Sequence, residues 1–537
     1  MNVLEWLVFI LIMLFIHGLS TWKLYAKAGR KPVEAFIPIY NLVVLMKIIK
    51  RPTWWLFLLF IPIINLIMIP VVWVETIRSF GKNSRLDTAL VLLTLGFYIT
   101  YLNYTSDKLT YNENKDLQPK TKTEETVSSL LFAIIVATLV HTYIIQPFTI
   151  PSSSLEKTLL IGDYLFVSKI NFGARTPMTT VALPMVHDSI PFSGVKSYLF
   201  NDDFTKKETS ILNKFQLPYF RFPSIEKIKR NEIVVFNQPA DTLRDMDNFH
   251  PDRNYYKPVD KKTNLVKRCV GMPGDSLEIR DGDIYINGKK DKLPESAKPQ
   301  YNFIVDTKGI AISQDALVHR YGAREGMKYD NGAFALTNTG QYFLTLTDKE
   351  AALIATNPVV KGVKKYLSPK GEDGKVFPHI PSLGWNIDNY GPIYIPQKGK
   401  TIQLNIKTFP LYKRIIAEYE HNNLQIHGNE IVINGKVSTT YTFKQDYYWM
   451  MGDNRQNSLD ARFWGYVPFD HVVGKPVFIW FSWDKDGSGI NKVRWNRVFS
   501  VVNGNGEPKS YLIHFLVLIV LYSVGSRIIK KRKKEQV

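Results

Sequence analysis

Three consecutive serines, Ser152, Ser153 and Ser154, stand directly after Pro151. A serine hydroxyl is a poor nucleophile near neutral pH and needs a base to take its proton. Histidine is the usual base, and an amine serves when its pKa is lowered. None of the ten histidines lies in a Gly-x-Ser-x-Gly or related hydrolase signature. Taken alone, a Pro-Ser-Ser-Ser run is also what a turn or a helix cap looks like. In isolation, Lys267-Arg268 reads as a surface pair ahead of a strand. The run GDNRQNS, Gly452 to Ser458, reads as a polar turn. The single Cys269 excludes an intramolecular disulfide and a multi-cysteine zinc site, and reads as a small packed side chain. There is no phosphate-binding loop and no metal-ligand cluster, so no cofactor is expected.

The scaffold for such groups is divided between membrane and water. Of the 537 residues, the first hundred and the last thirty hold the long apolar runs, and the middle has ordinary globular composition. The net charge of +20 comes from Lys and Arg scattered along the chain, not gathered with stacking aromatics on one element, so nucleic acid is not an expected partner. Val127 to Ile145 meets the requirement of about 20 mostly apolar residues for a transmembrane helix. So does Tyr511 to Ile529, which ends in the basic cluster Lys530 to Lys534. The positive-inside bias keeps that cluster in the cytoplasm, together with the polar stretch Tyr104 to Thr126 and its Lys108, Lys115, Lys120 and Lys122. Everything between the two spans then lies outside. Upstream, Val3 to Leu19, Trp54 to Val74 (interrupted by Pro62 and Pro70) and Thr88 to Leu102 are candidate spans, and Ala35 to Ile49 reads as interfacial or re-entrant. Parity places the N-terminus outside, which also puts the loop bearing Arg78, Lys82 and Arg85 outside, against the charge rule. The basic residues Lys23 to Lys31 follow the first apolar run instead of preceding it, unlike a cleavable signal peptide. With no acid or base firmly at mid-span, an anchor or regulatory module is expected here in preference to a transporter.

From Ile150 to about Ser510 short β-type runs alternate with Gly, Pro, Asn and Asp turns, which predicts a mostly β exported domain. The stretches GDIYINGKK (Gly282 to Lys290) and NEIVINGKV (Asn429 to Val437) match each other. Each reads as a strand ending in an Asn-Gly hairpin turn, and both a local duplication and a coincidence of hairpin chemistry stay open.

The run IPSSSLEKTLLIGDYLFVSKINFG, Ile150 to Gly173, resembles the serine-bearing motif of bacterial type I signal peptidases, which follows their membrane anchor. Three further stretches resemble that family's motifs in its order. Lys229 to Phe236 (KRNEIVVF) is similar to the strand before the base, Leu265 to Asp275 (LVKRCVGMPGD) to the lysine motif, and Met450 to Pro468 (MMGDNRQNSLDARFWGYVP) to the last motif. The run Trp385 to Gly399 (WNIDNYGPIYIPQKG) resembles a segment of the long Bacteroidetes-type enzymes. The resemblance implies a serine endopeptidase that removes signal peptides after small residues at positions −3 and −1, with pre-proteins, the lipid bilayer and the translocation machinery as partners.

Carried over residue by residue, the resemblance makes Ser154 the nucleophile and Lys267 the general base. Ser152 becomes the oxyanion-hole side chain, acting with the Ser154 N–H; such donors contribute about 2.7–4 kcal/mol each. A lysine ordinarily titrates near 10.4, so a base must be buried, which can bring it down by about 3–5 pH units. Val266, Val270 and Met272 supply apolar neighbours. Strand alternation lets Lys267 face inward while Arg268 faces out. Ser458 resembles the group that orients the lysine amine, Asp460 with Arg462 a supporting ion pair, and Gly452, Asp453, Asn454 and Arg455 the turn packed on the lysine strand. The chain departs from the family at Leu155 and Lys157, where Met and Pro are common, at Asn231 and Glu232, and at Gln456, which leaves substrate preference open. The expected organisation is a multi-span membrane module (1–103), a cytoplasmic linker (104–126), an anchor (127–147), two parts of the catalytic core (148–275 and 441–509) flanking an insert (276–440), a C-terminal transmembrane helix (510–529) and a basic tail (530–537). Two other readings are a catalytically inactive scaffold that binds signal peptides, which would not need Ser152, Ser154, Lys267 and Ser458 together, and a self-cleaving Ser-Lys repressor, which would need a DNA-binding domain.

Overall fold

A computed structural model describes residues 2–105, 107, 109–114, 118, 121–207, 209–239, 256–371, 376–485, 487–502 and 509–535. They fall into two units, Met1–Ile145 with Ala174–Phe222 and Tyr255–Lys262, and the remainder. Among the described residues, three helices are long and apolar enough to cross a membrane: Val3–Lys27, Lys122–Ile144 and Leu512–Ile529.

In the first unit, the helix Val3–Lys27 begins on a capping box, with Asn2 Oδ1 accepting from Glu5 N and Glu5 returning to Asn2 N. The run Trp54 to Val74 is two helices, Trp55–Phe60 and Ile64–Ser79. The break falls at Pro62, which disfavours the helical conformation for the residue before it; Ile61 is accordingly extended. Pro70 is accommodated inside the second helix. Thr88 to Leu102 is likewise two helices, Arg85–Leu93 and Phe97–Thr105, bent by 117°. At the bend Gly96 has φ +87, and a Cβ there would come within 2.7 Å of the Trp73 ring, so backbone freedom and close approach both require glycine. Ala35 to Ile49 forms only a short turn and the helix Tyr40–Ile48, too short to cross.

In the second unit, strands lie side by side in the order Ile145–Thr149, Asp163–Ser168, Val472–Ser482, Ile233–Asn237, Asn264–Gly271, Tyr447–Met451, Val467–Pro468, with Ser500–Val501 also on the long strand Val472–Ser482. The sheet's central strands are buried on both faces. Along Ile233–Asn237, Val234 and Phe236 enter one core, Ile233 and Val235 another. Asn264–Gly271 behaves the same way, with Leu265 and Cys269 in the first core and Val266 against the second. Both directions from this strand are therefore interior.

The two matching stretches are the last strands of two three-stranded meanders of the same construction: Ser276–Arg280, Asp283–Ile286, Lys289–Lys290, and Leu424–His427, Glu430–Ile433, Lys436–Val437. Leu277 faces Ile286 as Leu424 faces Ile433. The turn asparagines Asn287 and Asn434 both have φ 52, and each accepts at Oδ1 from the N–H of the residue opposite, Ser276 or Asn423, at 2.9 Å. Between them, residues 301–365 form a four-stranded sheet and the helix Asp348–Ala355 around a core of their own, whereas Val376 to Phe443 contribute to the core of the large sheet.

Candidate active site

Ser154 lies in a single 3-10 turn, Ser153–Leu155, entered through the extended Ser152. Leu155 and Leu159 are buried beside it and anchor the turn in the core below. Lys267, on the strand Asn264–Gly271, is 2% exposed, and its Nζ lies 2.6 Å from Ser154 Oγ. Burial pulls the lysine down to about 8; Asp460 opposes that effect and Arg462 adds to it. A buried amine this close to a buried hydroxyl can take its proton. Ser152 is half-buried and its side chain does not cap the turn.

Behind the pair run two buried ion pairs. Arg268 grips Asp453 with two hydrogen bonds, Nε to Oδ1 at 2.7 Å and Nη2 to Oδ2 at 2.6 Å, and Thr158 Oγ1 adds a third to the same carboxylate at 2.7 Å. Burial would raise Asp453, but the Arg268 charge and these bonds outweigh it and hold the carboxyl below its ordinary value. Asp460 is held down in the same way by Arg462, against its own burial, with bonds of 2.8 and 2.9 Å. Asp460 also accepts from Gly452 N at 3.0 Å. A Cβ on Gly452 would stand 2.2 Å from Ser458 Oγ and 2.5 Å from Ser154 O, so only glycine lets this strand end lie against the backbone of Ser154.

Two expectations are corrected. Arg268 does not face solvent: it is 2% exposed, because the far face of its strand is a second interior, and a guanidinium there needs the carboxylate of Asp453. Ser458 does not bond the lysine amine. Its hydroxyl lies near enough to Asp460 to favour that carboxylate, but packs against Gly452 and has no well-directed hydrogen bond to any described group. Asn454 of the last motif also holds the turn of Ser154, and two further contributors, Gln300 and Asp388, were missed. Asn454 donates from its backbone to Ser154 O at 3.1 Å and from its side chain to Ser153 O at 3.3 Å. Gln300 donates to Glu156 O at 2.7 Å. Asp388, fully buried, accepts from Gln456 at 3.1 Å and adds a second carboxylate near Arg462. It lies within the run Trp385 to Gly399, whose signal named no chemistry.

The family model described as signal peptidase, peptidase S26, matches residues 123–345 and 395–483, more than half of the chain. A family of unknown function (DUF5684) matches residues 33–114. The chain is similar to signal peptidase I of Buchnera aphidicola subsp. Schizaphis graminum (strain Sg), 25% identical over 369 residues, which covers 67% of this chain and 75% of that protein. It is similar also to signal peptidase I of Rickettsia massiliae (strain Mtu5), 24% identical over 387 residues, 69% and 90% of the two chains. For signal peptidase I of Buchnera aphidicola subsp. Acyrthosiphon pisum (strain APS) the figures are 22% over 414 residues, 75% and 91%. Fold, buried serine–lysine contact and sequence similarity together define a membrane-associated peptidase, a hydrolase. The chain belongs to the signal peptidase family, peptidase S26.

Proposed function

We propose that the protein removes signal peptides from exported pre-proteins by a Ser154–Lys267 dyad. The observation that carries this reading is the 2.6 Å approach of Lys267 Nζ to Ser154 Oγ in a buried setting that lowers the lysine. The neutral amine accepts the Ser154 proton as Oγ attacks the scissile carbonyl. The Ser154 N–H and Ser152 hydroxyl donate to the oxyanion that forms. Lys267, now an ammonium, gives the proton to the leaving amine. The acyl-enzyme is then hydrolysed by water, whose proton the amine takes and returns to Oγ. Small side chains at −1 and −3 and an extended substrate beside a strand complete the reading.

The site faces the extracytoplasmic side in this proposal. Contacts within the first unit support it. Trp6 Nε1, at the start of the first apolar helix, donates to Gln216 O at 2.9 Å, and Gln216 follows the span Lys122–Ile144 in the chain. At the other end Lys27 Nζ donates to Asp107 O at 3.1 Å, and Arg78 meets Glu124 at 4.0 Å, both in or beside the cytoplasmic linker. The broken pair Trp55–Phe60 and Ile64–Ser79 then enters and leaves on one side. Arg78, Lys82 and Arg85 become cytoplasmic, which satisfies the positive-inside bias that the span count violated.

The test is cleavage of a pre-protein with an Ala-x-Ala site by the detergent-solubilised protein, beside folded Ser154→Ala and Lys267→Ala variants. Cutting after the second alanine by wild type alone supports the dyad. Silence of the wild type, or good cutting by Lys267→Ala, overturns it.

A further inference from the structure

The module Tyr301–Lys365 has its own core, and it reaches the nucleophile's turn at several points. Glu350 forms an ion pair with Lys157, three residues after Ser154. Glu325 takes Asn454 Nδ2 at 2.6 Å on one oxygen and Asn457 Nδ2 at 2.9 Å on the other. Those amides continue to the turn itself, Asn457 to Ser153 Oγ at 3.1 Å and Asn454 to Ser153 O at 3.3 Å. Just before the module, Gln300 bonds Glu156 O at 2.7 Å. The turn is a single 3-10 turn held in the core by Leu155 and Leu159, and these polar contacts add to that anchor. Lys157 makes one of them. Its φ is +69, a left-handed conformation uncommon for a residue with a side chain. Glu350 is itself well held: it is the third residue of the helix Asp348–Ala355, and it accepts from Thr347 N at 2.8 Å and Thr347 Oγ1 at 2.9 Å as a capping box. Residue 350 also lies in the gap between the two stretches that the family model matches.

We propose that this module is a clamp that sets the position of Ser154, with Glu350 acting through Lys157, and Glu325 through Asn454 and Asn457, as positioning residues. The proposal rests on Ser154 being the nucleophile. Small displacements of a reacting group cost rate more than affinity, so the clamp acts on kcat.

The experiment measures kcat and KM for an Ala-x-Ala pre-protein with the full-length protein in detergent, for wild type, Ser154→Ala, Glu350→Gln, Lys157→Gly and Lys157→Arg. Glu350→Gln keeps an acceptor for the capping box and removes the charge. Lys157→Gly keeps the left-handed backbone and removes the ion pair. Each of these should lower kcat about ten-fold with KM and melting temperature little changed, and Lys157→Arg should stay near wild type. If Glu350→Gln does not fold, Lys157→Gly reads the same pair from the other side. The clamp is overturned if Lys157→Gly keeps wild-type kcat while Ser154→Ala is silent. Activity in Ser154→Ala would instead overturn the dyad beneath it.

Discussion

Lys267 and Arg268 are neighbours on one strand, each 2% exposed, and the two sides of that strand treat a cation in opposite ways. Arg268 meets a carboxylate head-on and is held by two short bonds. Lys267 meets a hydroxyl, with Asp460 and Asp453 acting on it only through their fields. A paired buried cation is a structural member, and removing its partner leaves a charge without solvation. An unpaired one gives up its proton readily, which is the property a general base needs.

Replacing the lysine breaks this comparison most sharply. Lys267→Met should lower cleavage on the order of 10⁴-fold while leaving the protein at least as stable, with a gain on the order of 1–3 kcal/mol at neutral pH, because a desolvated amine is exchanged for an apolar chain of similar length. Initial rates and denaturant unfolding of the same preparation check both halves. Loss of stability in this variant would mean that the amine has a structural partner.

On the other face the expected result is the reverse. Asp453→Ala strands the Arg268 guanidinium and should cost about 3–5 kcal/mol of stability, and the double change Arg268→Met with Asp453→Leu should recover most of it. Unfolding midpoints decide this. If the double variant is no more stable than the single one, the carboxylate acts through Thr158 and not through the arginine.

A pH profile separates the two faces without mutation. In the proposed dyad Lys267 works only when neutral, and burial has brought it down to about 8, so kcat/KM should rise about ten-fold per pH unit below that value and level off above it. The same lowered value means that the unfolded chain holds a proton the folded chain has released above pH 8. Stability should therefore also rise with pH from there toward the ordinary lysine range. A flat rate profile between pH 6 and 9 would exclude Lys267 as the titrating base.

What was legible beforehand follows the same division. The serine turn, the lysine strand and the Gly452–Arg462 segment were readable only together, through their ordered resemblance to family motifs, since each alone reads as a turn or a surface pair. The Asn-Gly turns at 287 and 434 were readable because hairpin geometry is set by two residues. Alternation along Asn264–Gly271 correctly separated Lys267 from Arg268, but it says only that they face different ways, not whether the second side is solvent. The breaks at Pro62 and Gly96 were half visible: proline signalled a break, and no local pattern tells whether the chain then continues across or returns. Glu325 and Glu350 reach the site from far along the chain and stand in stretches that nothing local marks, whereas Asp388 stands in the marked run Trp385 to Gly399, whose resemblance named no chemistry for it.

The smallest effect concerns the contact between the last motif and the nucleophile's turn. Gly452→Ala places a methyl group 2.5 Å from Ser154 O, a backbone atom unable to swing aside, and 2.2 Å from Ser458 Oγ, which can rotate. Overpacking of this kind costs about 1–3 kcal/mol. Relief by Ser458 would leave cleavage nearly intact. Relief by the turn would move Ser154 away from Lys267 and lower kcat with KM unchanged. Adding Ser458→Gly to Gly452→Ala distinguishes them: recovery of both stability and kcat locates the clash at the hydroxyl. Recovery of neither locates it at the nucleophile's own carbonyl, where the comparison between the two faces of the strand would need a third member, the turn laid across it.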